Sequence, residues 1–84
     1  MNIFICGLGL IGGSIAKAVK AHTFHTVIGC DRDDAVCRAA VAEGAIDRAG
    51  SADDLASCDL VLVALYPDAA AAFVADNLAK FKSG

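Results

Sequence analysis

The sequence has no tryptophan, one proline, one tyrosine and one methionine in 84 residues, and its seven lysines and arginines are outnumbered by ten aspartates and glutamates. Each scarcity excludes something. A chain poor in basic residues has little to neutralise a run of phosphates, which argues against a free-standing nucleic-acid binder. With 57% hydrophobic residues and glycine far below one position in three, neither a disordered nor a collagen-like chain fits. No apolar run reaches the roughly 18 to 20 residues of a membrane-spanning helix, so no membrane partner is expected. Met1-Asn2-Ile3-Phe4 lacks the basic start and small-residue cleavage site of a secretion signal, and the expected location is the cytoplasm.

Cys6, Cys30, Cys37 and Cys58 form no C-x-x-C, and His22 and His25 are not at finger spacing. The expectation is four free thiols in a reducing compartment and no metal site. Cys6 and Cys30 each end an apolar run, which would set them near one another on adjacent strands as packing.

What is present is an alternation of short apolar runs with helical patterns. Asn2 to Cys6 is a continuous apolar run stopped by Gly7, the mark of a strand covered on both faces. A helix is expected from about Leu10 to Ala21, with Ile11, Ile15, Ala18 and Val19 as its apolar positions. Thr26 to Cys30 reads as a second strand. A helix from Asp33 or Asp34 to Glu43 follows, carrying Val36, Ala39 and Ala40 on one face, with Gly44 at the left-handed C-cap position. Ala45-Ile46-Asp47 suits a brief third strand, and Ser51 with Asp54 suits the cap of a single-turn helix. Asp59 to Leu65 is the most apolar strand, and Asp68 is expected to cap a last helix running to about Phe81, with Val74, Leu78 and Phe81 on its face.

Strands alternating with helices imply right-handed crossovers and a parallel sheet: an α/β, Rossmann-type doubly wound fold. Residues 1–84 read as one partial domain of this fold, truncated before the later strands. Two features support this expectation. A domain this small buries only about 60 to 65% of its unfolded surface, yet the composition is that of a layer covered on both faces. The fourth strand would also expose a long apolar edge without a fifth beside it. The stretch Lys80 to Gly84 reads as a cut between elements.

Gly7-Leu8-Gly9-Leu10-Ile11-Gly12 is a G-x-G-x-x-G. Alone the hexamer is weak, and a glycine-rich turn without ligand is the plain alternative. Here it follows a buried strand, opens an amphipathic helix, and has Asp31 standing 19 residues past Gly12 at the end of the next strand. Gly7 permits the tight turn, Gly9 lets a pyrophosphate approach the backbone, and Gly12 lets the helix lie against the sheet. Free N–H groups near Leu10 and Ile11 and the helix dipole supply the attraction. No G-K-[ST] follows, so a Walker-type phosphate loop is excluded. Asp31 would accept hydrogen bonds from the adenosine ribose and repel the 2′-phosphate of NADP. At about 4 Å that repulsion is up to ~4 kcal/mol, reduced by solvent to ~1–2, so NAD is the expected cofactor by roughly ten-fold or more. Arg32 is read either as solvated or as a guanidinium that stacks on adenine or partly offsets a 2′-phosphate. Tyr66 and Pro67, at the carboxyl end of the fourth strand, are expected to border the dinucleotide; plain helix initiation is the alternative. Ser14 reads as a local cap, and His22 and His25 as exposed turn residues at the far end of the sheet.

Gly7 to Lys20, Val27-Ile-Gly-Cys-Asp-Arg32, Ala42-Glu-Gly-Ala-Ile-Asp47 and Cys58-Asp-Leu-Val-Leu-Val-Ala-Leu-Tyr-Pro67 together resemble the N-terminal nucleotide-binding domain of prephenate dehydrogenases, with arogenate dehydrogenases as close relatives. The resemblance covers essentially the whole chain. It implies a parent enzyme that oxidises prephenate by hydride transfer to NAD with loss of CO₂, giving 4-hydroxyphenylpyruvate for tyrosine synthesis, and that acts as a homodimer. Aromatisation drives the decarboxylation, so positioning is the protein's main task. The cofactor roles carry over to Gly7, Gly9, Gly12 and Asp31. The family's catalytic histidine and substrate-carboxylate arginine do not, because neither His22 nor His25 matches, so no catalytic residue is assigned and the chain alone is expected to be inactive. Other readings are another small-substrate NAD(P) dehydrogenase and a non-catalytic NAD-sensing regulatory domain.

Overall fold

The computed structural model describes residues 1–81; Lys82, Ser83 and Gly84, the end of the stretch read as a cut between elements, lie outside the described residues. Four strands, β1 (Asn2–Cys6), β2 (Thr26–Cys30), β3 (Arg48–Ala49) and β4 (Leu60–Val63), form one parallel sheet in the order β3-β2-β1-β4. That order is the 3-2-1-4 part of a doubly wound sheet, with the strand order reversing between β1 and β4. The register sets Cys6 beside both Cys30 and Val63.

Both faces of β1 are buried, and its alternating side chains feed two cores. Ile3 and Ile5 pack with Val27, Leu8, Ala16 of α1 (Leu10–His22) and Cys37 and Ala40 of α2 (Asp34–Ala42). Phe4 and Cys6 pack with Ile28, Leu55 and Cys58, and Phe73 of α3 (Pro67–Asp76) and Phe81 close over them. Leu55 comes from a 3₁₀ helix over Ala52–Ser57, held by a reciprocal capping box between Ser51 and Asp54.

Several details differ from the sequence reading. The short third strand lies at Arg48–Ala49, just after Ala45-Ile46-Asp47. Ala45 and Ile46 are instead buried as core plugs, while the Asp47 carboxylate accepts the Val27 N–H at 2.7 Å. The buried face of α1 is Gly12, Ala16 and Val19, rotated from the expected stripe, so Ile11 is 71% exposed. Close contact of Gly12 with the turn fixes the rotation of the helix, and that contact outweighs burial of Ile11. In α2, Cys37 and Ala40 are buried and Ala39 faces out. The last helix starts earlier and stops sooner than expected: Tyr66 is the N-cap and Pro67 the first helical residue, a position where its missing N–H costs nothing. It ends at Asn77, whose side-chain amide donates to the Phe73 carbonyl at 2.8 Å. Phe73, not Val74 or Leu78, is consequently the inward residue.

Candidate functional site

Gly7, at the carboxyl end of β1, turns the chain with φ +94°, a conformation that favours glycine. Its N–H donates to the Cys30 carbonyl at 2.8 Å, tying the turn to the end of β2. A side chain at Gly7 would also strike the Ala64 carbonyl at 2.5 Å. Gly12 is more tightly confined: a Cβ there would lie 1.8 Å from the Gly7 carbonyl oxygen and 3.2 Å from the Ala64 Cβ. Gly7, Gly12 and Ala64 therefore form one close-packed contact joining β1, α1 and the end of β4. The need for a small residue at 64 was missed in the sequence reading. An alanine ending an otherwise bulky strand was the available signal.

Gly9 is the opposite case. It is exposed, and a Cβ built on it meets no protein atom within 4 Å. As the N-cap of α1 it has φ −67° and ψ −158°, carries no side-chain cap, and no acidic residue occupies the first turn. The first α1 bond runs from the Gly13 N–H to the Gly9 carbonyl at 2.8 Å. The N–H groups of Leu10, Ile11 and Gly12 precede the first possible intrahelical donor and form the positive end of the helix dipole. Leu10 is 90% exposed and flanks this mouth with Ile11.

The Asp31 side chain bridges the two loops. Oδ2 accepts the Leu8 N–H at 2.9 Å, and Oδ1 accepts the Asp33 N–H at 3.0 Å. Asp33 in turn caps α2 by accepting the Ala35 N–H at 3.0 Å. Leu8 itself points into the core against Gly29, so only its backbone belongs to the loop surface. Arg32 is exposed beside Asp31, and Tyr66 and Pro67 are exposed at the start of α3. The ends of β1, β2 and β4 thus bring Gly7, Gly9, Gly12, Asp31, Arg32, Tyr66 and Pro67 to one rim of the sheet. Ser14 lies outside it chemically: its hydroxyl donates to the Leu10 carbonyl at 2.7 Å within the helix. His22 is exposed and His25 contacts the N-terminal amine at 3.0 Å, both at the other end of the strands.

All four cysteines are free thiols. A hydrogen bond from Cys30 pulls the Cys6 thiol below its ordinary range, and the same bond together with burial pushes Cys30 up. Burial also pushes Cys37 and Cys58 up. Among the described residues no group of three or more His, Cys, Asp or Glu side chains could hold a metal ion, and no helix is long and apolar enough to cross a membrane.

A family model described as the nucleotide-binding domain of prephenate dehydrogenase matches residues 15–83. The matched stretch begins inside α1, after the glycine turn, so the turn is a separate observation in the same direction. No curated protein sequence matches significantly. Among solved structures, Synechocystis arogenate dehydrogenase superimposes with a TM-score of 0.90 at 25% identity, covering 98% of this chain and 30% of that one. Prephenate dehydrogenase from A. aeolicus, in complex with hydroxyphenyl propionate and NAD+, gives 0.81 at 28% identity, covering 99% and 30%. The chain spans under a third of each relative. A Rossmann-type sheet and a family match over most of its length together establish that this chain belongs to the prephenate dehydrogenase family, as a nucleotide-binding domain.

Proposed function

We propose that the domain binds NAD at the glycine turn and forms the cofactor half of an enzyme that oxidises and decarboxylates prephenate. The observation that carries the cofactor reading is the contrast between glycines: Gly7 and Gly12 are locked by protein atoms, whereas the space over Gly9 is open. A backbone held this rigidly, with amides facing an open position, suits a diphosphate. The ordinary structural use of a glycine turn explains Gly7 and Gly12 but leaves Gly9 unaccounted for.

In this reading the Leu10, Ile11 and Gly12 amides hold the diphosphate, and Gly7 and the Leu8 backbone set the turn. Asp31 holds the adenosine ribose. Each of its oxygens accepts one backbone N–H but has a further lone pair for a ribose hydroxyl. A 2′-phosphate would meet that carboxylate as a like charge, which favours NAD over NADP. Arg32 covers the adenine, and Tyr66 and Pro67 form the opposite lip. The A. aeolicus relative in complex with NAD+ supports the choice of cofactor. Bound NAD supplies a hydride acceptor; this chain's part is to bind and orient it. Substrate positioning and proton removal belong to further parts of a longer, cytoplasmic, homodimeric enzyme.

Arogenate is the second reading for the substrate, favoured by the 0.90 superposition on an arogenate dehydrogenase. Calorimetric titration of NAD and NADP into the chain tests the cofactor reading. NAD should bind roughly ten-fold or more tightly than NADP, and equal affinities or no binding would overturn it. Assay of the longer enzyme with prephenate and arogenate separates the two substrates.

A further inference from the structure

Cys6 and Cys30 are directly paired residues of neighbouring parallel strands, and both join the core on the 3₁₀-helix side of the sheet. Parallel neighbours lie about 4.8 Å apart, inside the Cα separation of roughly 4.4–6.8 Å that a disulfide spans. Directly paired residues of neighbouring strands present their side chains on the same face, so the two thiols are neighbours there. Their places in the sequence give the pair consequence: Cys6 immediately precedes Gly7, and Cys30 immediately precedes Asp31.

We propose that Cys6 and Cys30 form a reversible dithiol–disulfide site beneath the nucleotide turn, oxidised by hydrogen peroxide, whose closure weakens dinucleotide binding. The proposal rests on the cofactor reading above. Cys6, held as the better thiolate by its neighbour, attacks one peroxide oxygen; the O–O bond breaks, and after proton uptake a sulfenic acid and one water result. The Cys30 sulfur then attacks the Cys6 sulfur, the S–S bond forms, and the hydroxyl leaves with the Cys30 proton as a second water. Two thiols are oxidised and one peroxide is reduced. Peroxide is small enough for this position, since Cys30 is half-buried and Cys6 is nearly covered.

Geometry selects this pair over the others. Cys37 packs on the opposite face of the sheet. Cys58 precedes Asp59, whose N–H bonds the Asn2 carbonyl, so it lies at the amino end of β1, roughly 13 Å of strand from Cys6. Closure draws two Cβ atoms from about the strand spacing to about 3.8 Å, a movement of ~1 Å. Gly7 and Gly12 have no slack to absorb it, because each is already in contact with its neighbours. The displacement therefore reaches the amides that face the ligand.

Peroxide treatment of the chain, followed by intact mass, peptide mapping and NAD titration, tests this. The expected result is loss of two hydrogens, a link joining the Cys6 and Cys30 peptides, NAD affinity at least ten-fold weaker, and full recovery with dithiothreitol. Cys30→Ser should give no such link and keep its NAD affinity through peroxide treatment, while Cys37→Ser should respond as the unmodified chain does. Failure of the Cys6–Cys30 link to form, or its formation with unchanged NAD affinity, overturns the proposal. If the reduced chain binds no NAD, the cofactor reading fails by itself, and the peptide map still decides whether the dithiol site exists.

Discussion

Replacing Gly9 and Gly12 separately by alanine distinguishes a ligand cradle from a merely structural turn. At Gly9 the added methyl meets no protein atom within 4 Å, and φ −67° is ordinary for alanine. Alanine restricts the unfolded chain, worth about 0.4–1 kcal/mol, and loses a similar amount as a poorer N-cap. The net change should stay within about 1 kcal/mol, a Tm shift of no more than about 8 °C for a domain of this size. The same methyl projects into the space assigned to the diphosphate. Displacing one or two amide–phosphate hydrogen bonds at about 1.5–3 kcal/mol each lowers NAD affinity ten-fold at least, and more than a hundred-fold if two are lost. Gly12→Ala places a Cβ 1.8 Å from the Gly7 carbonyl; the backbone must part there, costing about 3 kcal/mol or more. Circular dichroism melting and NAD calorimetry on both variants give the four readings needed. A Gly9→Ala chain that melts normally and binds NAD as tightly as the parent would refute the cradle.

Asp31→Ser should raise the NADP-to-NAD affinity ratio at least ten-fold, and it should also weaken NAD itself, because the Leu8 amide loses its acceptor; titration of both dinucleotides separates the two effects. Acid should destabilise the fold from about pH 5 downward. The Val27 N–H and Lys20 hold the Asp47 carboxyl below the usual range, and Arg48 and the Ser51 N–H do the same for Asp54. Below the unfolded-state values the unfolded chain binds more protons, so this stabilisation is present at neutral pH and is lost as pH falls through the folded-state values. Asp47→Asn should flatten the acid limb of a Tm-against-pH profile; an unchanged limb would remove Asp47 from the account. Phe4→Ala, at a fully buried position of the central strand, should cost about 3–5 kcal/mol, read from urea or thermal unfolding. A cost below 1 kcal/mol would mean that the two-faced core is mispacked.

The strands were legible because continuous apolar runs have one use in a small α/β domain: β1 and β2 fall where the runs of Asn2–Cys6 and Thr26–Cys30 put them. Gly44 at φ +75° also ends α2 as its position suggested. Helix rotation was not legible. Ile11 and Ile15 look inward by period alone, but the phase of α1 is set by Gly12 against Gly7, a contact made by the absence of side chains. The end of α3 was hidden for a related reason: alanine-rich sequence carries no phase, and the Asn77–Phe73 bond that ends it is a choice between local hydrogen bonds. At the rim, the glycine spacing and Asp31 could be read directly, whereas Ala64 and the Asp31–Leu8 bond needed the third dimension.

The contact among Gly7, Gly12 and Ala64 joins segments far apart in the sequence. On a translating ribosome the glycine turn emerges early, yet the wall it leans on follows only about fifty residues later, after three intervening crossovers of the sheet have been made. Until that late strand docks beside the first, the turn lacks its final shape. Nascent chains released short of Ala64 should therefore be blind to the coenzyme even with every motif residue present.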